Sequence, residues 1–156
     1  MHLSIAIVYE SFGGNTEDLA KMIQKQLLNG GHTNVHLYSC YQVKKNNYDL
    51  SLYDYVLFGS LTWDEGKLPL TMRKLLKRIL IDQKQPFVNC SVFGTGETQW
   101  GDRMYCRAVD EMEYHLTKNN KTVNYKLKIE QNPLGKEKKI EDFVKCILKE
   151  TLENDT

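Results

Sequence analysis

Apolar and polar positions along this chain follow two rhythms in turn, one of strands and one of helices. Leu3-Ser4-Ile5-Ala6-Ile7-Val8-Tyr9 is a nearly continuous apolar run of strand length. Residues 16–28 then place Leu19, Met22, Ile23 and Leu27 at helical spacing, and Asn29-Gly30-Gly31 closes that helix. Asn34 to Cys40 alternates, as a half-exposed strand does. Residues 41–52 are polar and predict a loop or a short irregular helix. Tyr53 to Ser60 is a second continuous apolar run, the signature of a parallel strand covered on both faces. A polar loop over 61–68 leads to Pro69, expected in the first turn of a helix that carries Met72, Leu75, Leu76 and Ile79 on one face. Pro86 to Gly94 predicts a fourth strand, 95–102 a loop, and Ala108, Val109, Met112 and Leu116 a further helix. Val123, Tyr125, Leu127 and Ile129 alternate with Asn124, Lys126 and Lys128, giving a second half-exposed strand. Ile140, Phe143, Val144, Ile147 and Leu148 mark a last helix, and residues 153–156 are expected to fray.

Strands alternating with helices predict an α/β fold: a three-layer sandwich, a five-stranded parallel sheet with helices on both faces, in one domain over 1–156. The first, third and fourth strands are apolar enough to be central, while the second and fifth alternate and belong at the edges. Right-handed crossovers then make 2-1-3-4-5 the natural strand order. In such a sheet the ligand lies beyond the carboxyl ends of the strands, where the order reverses between strands one and three. The loops after strands one, three and four meet there.

The first of these loops, Ser11-Phe12-Gly13-Gly14-Asn15-Thr16, joins a strand to a helix N-terminus. Its backbone N–H groups, the orphan N–H groups of the helix and the helix dipole all favour an anion, and Ser11, Asn15 and Thr16 add side-chain donors. No lysine or arginine occurs in residues 1–20, so the site uses neutral donors. Neither Gly-Lys-Ser/Thr nor G-x-G-x-x-G is present, which separates it from nucleoside-triphosphate and dinucleotide loops. An ordinary turn capped by Asn15 or Thr16 is the alternative on these six residues alone. The other two loops each carry a tryptophan, Trp63 and Trp100. Either they stack a flat ligand whose phosphate sits on the first loop, or they cover the end of the sheet.

Composition changes little in this picture. At 156 residues, with 41% apolar and 26% charged side chains, the chain is large enough for a real core. Its net charge of +1 argues against nucleic acid as a dedicated partner. No apolar run reaches the ~18 residues of a membrane span, and Met1-His2 leads straight into a strand with no leader expected, so a cytoplasmic protein is the expectation. Cys40, Cys90, Cys106 and Cys146 lack metal-ligand spacing and read as reduced thiols, most of them buried. The four histidines are scattered and receive no role. Asp64-Glu65 reads as a solvated loop pair rather than a metal or catalytic pair, and no nucleophile elbow is present. A receiver domain would need an acidic pair after strand one, where Glu10 stands alone, and an aspartate where Ser60 stands.

Taken together, the three loops resemble those of the short-chain flavodoxins over nearly the whole chain. Tyr9 to Ala20 (Y-E-S-F-G-G-N-T-E-D-L-A) is similar to their phosphate loop, Tyr53 to Pro69 to their first ring-binding loop, and Phe93 to Asp110 to their second, including Cys-x-Ala-Val-Asp. The resemblance implies a noncovalent FMN and a low-potential one-electron carrier. By position, Ser11 to Thr16 would wrap the phosphate. Thr62, Trp63, Asp64 and Glu65 would run beside the ring, with Trp63 on one face. Thr95, Gly96, Glu97, Thr98 and Gln99 would meet the pyrimidine edge, and Trp100 would stack outside. Electron-rich rings and the phosphate charge would disfavour further negative charge on the flavin, lowering the potential of the second electron. The implied partners are a flavodoxin reductase and an electron-accepting redox enzyme, with the carrier itself a monomer.

Four departures qualify the likeness. Gly13 stands where the family has a hydroxyl residue, and Asp64 where it has glycine, which makes a turned peptide there costlier. Lys67 stands among positions around the Asp64 loop that are acidic in the family, and the next helix carries Arg73, Lys74, Lys77 and Arg78. Gln99-Trp100-Gly101-Asp102 resembles the flavodoxin-like activators of manganese class Ib ribonucleotide reductase, a second reading in which a subunit of that reductase is the partner. A flavodoxin-fold binding module without FMN is the third.

Overall fold

The computed structural model of the chain describes residues 3–63, 66–101 and 103–153. Its elements alternate as the pattern requires: β1 (Ser4–Glu10), α1 (Asn15–Asn29), β2 (Asn34–Ser39), α2 (Cys40–Asn46), β3 (Tyr55–Leu61), α3 (Leu70–Lys77), β4 (Asn89–Gly96), α4 (Arg107–Lys118), β5 (Thr122–Glu130) and α5 (Glu137–Glu153). All strands pair in parallel, in the order β2-β1-β3-β4-β5.

Two apolar layers explain why the central strands read as unbroken runs. Ile5, Ile7, Tyr55 and Leu57 face Leu19, Ile23 and Leu27 of α1 and Ile140, Val144 and Ile147 of α5. The intervening Ala6, Val8, Val56 and Phe58 face Val43 of α2, Met72, Leu75 and Leu76 of α3, and Val109, Met112 and Leu116 of α4. Residues 5–8 and 55–60 are therefore all buried, whichever face they take. Gly59 lies against the Phe93 ring, and Gly94 lets α4 close on the sheet: a Cβ there would meet the Ser60 carbonyl oxygen at 2.5 Å and Val109 at 2.6 Å.

Several boundaries differ from the pattern. A true α-helix opens at Cys40, because Ser39 and Gln42 form a capping box. The Gln42 N–H donates to Ser39 Oγ (3.2 Å) and the Ser39 N–H to Gln42 Oε1 (2.8 Å). Pro69 stands just before α3 rather than in its first turn, and α3 runs on into a π-helical turn, Arg78–Asp82. β4 begins at Asn89, not Pro86, and extends to Gly96, taking Thr95 and Gly96 out of the expected loop. Cys40, Cys90 and Cys106 are buried and Cys146 exposed, all as free thiols. Asn154 to Thr156, expected to fray, lie outside the described residues.

Candidate functional site

The carboxyl ends of the central strands are level: Glu10 pairs in register with Ser60, Ser60 with Gly94, and Leu61 with Thr95. Above them opens a cavity of about 800 Å³. Ser11, Phe12, Gly13, Asn15, Thr16, Thr62, Trp63, Thr95, Gly96 and Glu97 line it, so the three loops do converge. Among the described residues lining it there is no lysine or arginine.

The first loop is shaped by its glycines. Gly14 is the N-cap of α1 at φ +96°, a left-handed conformation that a side chain resists. It therefore brings no capping side chain, and neither Asn15 nor Thr16 supplies one; the capped-turn alternative is wrong. The first intrahelical bond is Asp18 N–H to the Gly14 carbonyl (2.9 Å), which leaves the amides of Asn15, Thr16 and Glu17 without an intrahelical acceptor. A Cβ on Gly13 or Gly14 would meet nothing within 4 Å, so the loop backbone stands open. Ser11 Oγ accepts the Gly14 N–H (3.1 Å), and its own hydrogen remains available to donate. Thr16 is buried, its hydroxyl 2.7 Å from that of Thr95, and Asn15 Oδ1 accepts from Asn132 Nδ2 (3.2 Å). Below the loop, the Glu10 carboxylate takes the Ser11 N–H (3.1 Å) and the Thr71 hydroxyl, tying this loop to the first turn of α3.

In the second loop Trp63 and Lys67 bond each other through both backbone pairs, N–H of Trp63 to the Lys67 carbonyl at 2.7 Å and the reverse at 2.5 Å. Gly66 in this segment is at φ +84°, and a Cβ on it would meet Met104 and Arg107 at 3.4 Å. Trp63 remains 53% exposed and meets the Phe12 ring edge-on, centroids 4.9 Å apart. An indole left this open at a cavity wall is a surface for a flat partner. Thr62 lines the cavity but uses its hydroxyl to accept the Ala108 N–H at the start of α4 (3.1 Å). Asp64 and Glu65, expected beside a ring, lie outside the described residues.

In the third loop, a Cβ on Gly96 would sit 2.7 Å from the Cys106 amide, so only glycine lets the chain leading into α4 close here. The Gly96 carbonyl accepts the Gln131 N–H (2.8 Å). Thr98 turns toward β5, donating its N–H (3.4 Å) and its hydroxyl to the Glu130 carboxylate, which these bonds hold below its ordinary pKa. Gln99 donates to Glu97. Neither Thr98 nor Gln99 lines the cavity. The Trp100 backbone closes a 3-10 turn, and its side chain lies outside what is described.

Sequence reasoning missed Leu61, Gly66, Met104 and Gln131, which complete the wall. Gln131 directly follows the carboxyl end of β5, so the rule that picked out three loops would have found it as a fourth. Among the described residues no cluster of metal-ligating side chains occurs, and no helix is long and apolar enough to cross a membrane. An uncapped helix N-terminus, an open glycine loop and an exposed indole around one cavity suit a phosphate monoester that carries a flat ring system.

A sequence profile described as Flavodoxin matches residues 7–143. Probable flavodoxin 2 of Bacillus subtilis (strain 168) is 32% identical over 140 residues, which are 85% of each chain. The crystal structure of oxidised Flavodoxin 2 from Bacillus cereus superposes with a TM-score of 0.79 at 28% identity, covering 94% of this chain and 99% of that one. A Fusobacterium nucleatum flavodoxin, solved bound to flavin mononucleotide, superposes at 0.74 with 16% identity over 96% of this chain and 99% of its own.

Proposed function

The chain belongs to the flavodoxin family, and from that premise we propose that its cavity holds one noncovalent FMN, making it an electron carrier between redox partners. The observation that carries the assignment of roles is that the uncapped start of α1 and the half-exposed Trp63 line one cavity. The phosphate would rest on the amides of α1, with the hydroxyls of Ser11 and Thr16 and the Asn15 side chain around it. Trp63, braced by Phe12 and by its backbone pairs to Lys67, would cover one ring face and exclude water. The backbone at Gly96 and Glu97 would meet the polar ring edge. FMN supplies reversible one-electron chemistry once bound.

The chain tunes that chemistry by what it omits. No described lining residue is cationic, so charge gained on reduction is not offset locally, which favours a low potential. A flavodoxin reductase as electron source and a redox enzyme as acceptor complete the reading.

The purified protein should be yellow. Trp63→Ala should weaken FMN and riboflavin alike, whereas Thr16→Ala should weaken FMN several-fold more than riboflavin. Equal losses for Thr16→Ala would show that the phosphate is placed wrongly.

A further inference from the structure

We propose that the outer face of α2, α3 and the π-helical turn is a docking surface for an acidic redox protein. These three elements carry Lys44, Lys45, Arg73, Lys74, Lys77 and Arg78 against one carboxylate, Asp82. The chain's net charge is only +1, so this is a matter of distribution. The opposite face is balanced along its helices: Glu17 pairs with Lys21 on α1, and Asp142 and Glu141 with Lys138 and Lys145 on α5. On the same side as the basic elements, α4 has its carboxylates engaged: Asp110 takes both Lys126 and Lys128 of β5, and Glu111 takes Arg73.

The basic elements form one continuous face. Cys40 of α2 and Met72 of α3 touch sulfur to sulfur at 3.8 Å beneath it, and Arg78 donates to the Lys44 carbonyl (3.5 Å) and the Asn47 side chain. Arg73 is engaged by Glu111 (3.2 Å), Lys77 by Asp82 (3.5 Å), and Lys45 lies over the Tyr41 ring (5.7 Å); all three are exposed, as are Lys44 and Lys74. Among the cations stand Tyr41 and Leu70, 67% and 60% exposed, and Ile81. Exposed large apolar side chains rimmed by charged ones mark a protein contact. Position gives the partner's role: the face begins at the cavity rim, where exposed Lys67 leads through Pro69 into α3 and Glu10 pins Thr71. A protein seated there reaches the mouth of the site. This inference rests on the electron-carrier reading and adds the sign of the partner's charge.

The test follows one-electron reduction of ferric haem by the reduced, FMN-loaded protein, by stopped flow. Two probes of opposite surface charge are used, acidic cytochrome b5 and basic cytochrome c. The rate on cytochrome b5 should fall about tenfold from about 20 mM to about 500 mM salt, while cytochrome c shows no such fall. Lys44→Glu/Lys74→Glu should slow the low-salt rate on cytochrome b5 about tenfold and converge with the parent at high salt, as an electrostatic effect must. Lys25→Glu/Lys149→Glu, an equal charge change on α1 and α5, should stay near the parent. Equal slowing by both doubles, a flat salt slope, or a steeper slope on cytochrome c would overturn the proposal. Co-sedimentation with phosphatidylglycerol vesicles that Lys44→Glu/Lys74→Glu abolishes, with flat slopes, would overturn it in favour of a membrane. A protein without flavin absorbance, or one that reduces neither cytochrome, would refute the electron-carrier reading instead.

Discussion

Replacing Thr95 by valine deletes one hydroxyl and almost nothing else. In the structure that hydroxyl lies 2.7 Å from Thr16 Oγ1, and the two residues are 3% and 1% exposed. Thr95→Val leaves the Thr16 hydroxyl buried with its partner gone, at about 1–3 kcal/mol. With a urea slope of about 2 kcal/mol/M, the unfolding midpoint of the flavin-free protein should drop by about 0.5–1.5 M. Thr16→Val should cost a similar amount. The double variant Thr16→Val/Thr95→Val strands neither hydroxyl, so it should cost less than the sum of the singles by about 0.5–3 kcal/mol. Flavin binding gives a second readout. Thr95→Val should keep the preference for FMN over riboflavin, because Thr16 retains its donor, and Thr16→Val should lose it. Strict additivity of the two stability losses, or loss of the preference in Thr95→Val, would refute the pairing and the roles drawn from it.

Three further outcomes follow from the same structure. Glu10→Ala removes the carboxylate shared by the Ser11 N–H and the Thr71 hydroxyl, and FMN affinity by fluorescence titration should fall by about tenfold or more; unchanged affinity would mean that this tie does not position the loop. Gly13→Thr has room at a position with nothing within 4 Å. A hydroxyl restored there should tighten FMN by about 2–10-fold without changing riboflavin, and a loss of affinity would count against an open loop. Burial first, and then the charge and hydrogen bond of Glu17, push the Tyr9 phenol up to about 12. Its folded-state pKa is raised, so its contribution is complete below about pH 10, the unfolded value. The contribution is lost as pH rises from there through about 12. Tyr9→Phe should flatten that alkaline limb of stability, and an identical limb would refute the assignment.

What was legible in the sequence followed from periodicity and from groups near in the chain. Ile5 with Ile7 and Ala6 with Val8 are both inward, so an unbroken apolar run correctly announced a central strand, and the order 2-1-3-4-5 followed. The loops at Ser11, Thr62 and Thr95 were found because strand ends in a parallel sheet meet. The Ser39–Gln42 capping box is a local signal, and it is what makes α2 a defined helix rather than a loop or an irregular one. Other features were not readable, because distant partners decide them. Thr16 spends its hydroxyl on a residue 79 positions away, Thr62 on the start of α4, and Thr98 on Glu130. β4 runs on through Gly96 because Leu61 and Glu130 pair alongside it, not because of its own composition.

The glycine cap of α1 has a consequence beyond the cavity. Gly14 gives the helix no side-chain acceptor of its own, so on the proposed reading the acceptor would come from the flavin phosphate. Ligand affinity and the cohesion of an entire flank of the molecule are then one quantity: a ligand at a hundred times its Kd adds about 2.7 kcal/mol to folding. Without flavin, the start of α1 should then open more often, and the population open to proteolysis should rise with it. On that reading the flavin-free protein should be cleaved faster than the loaded one in limited proteolysis.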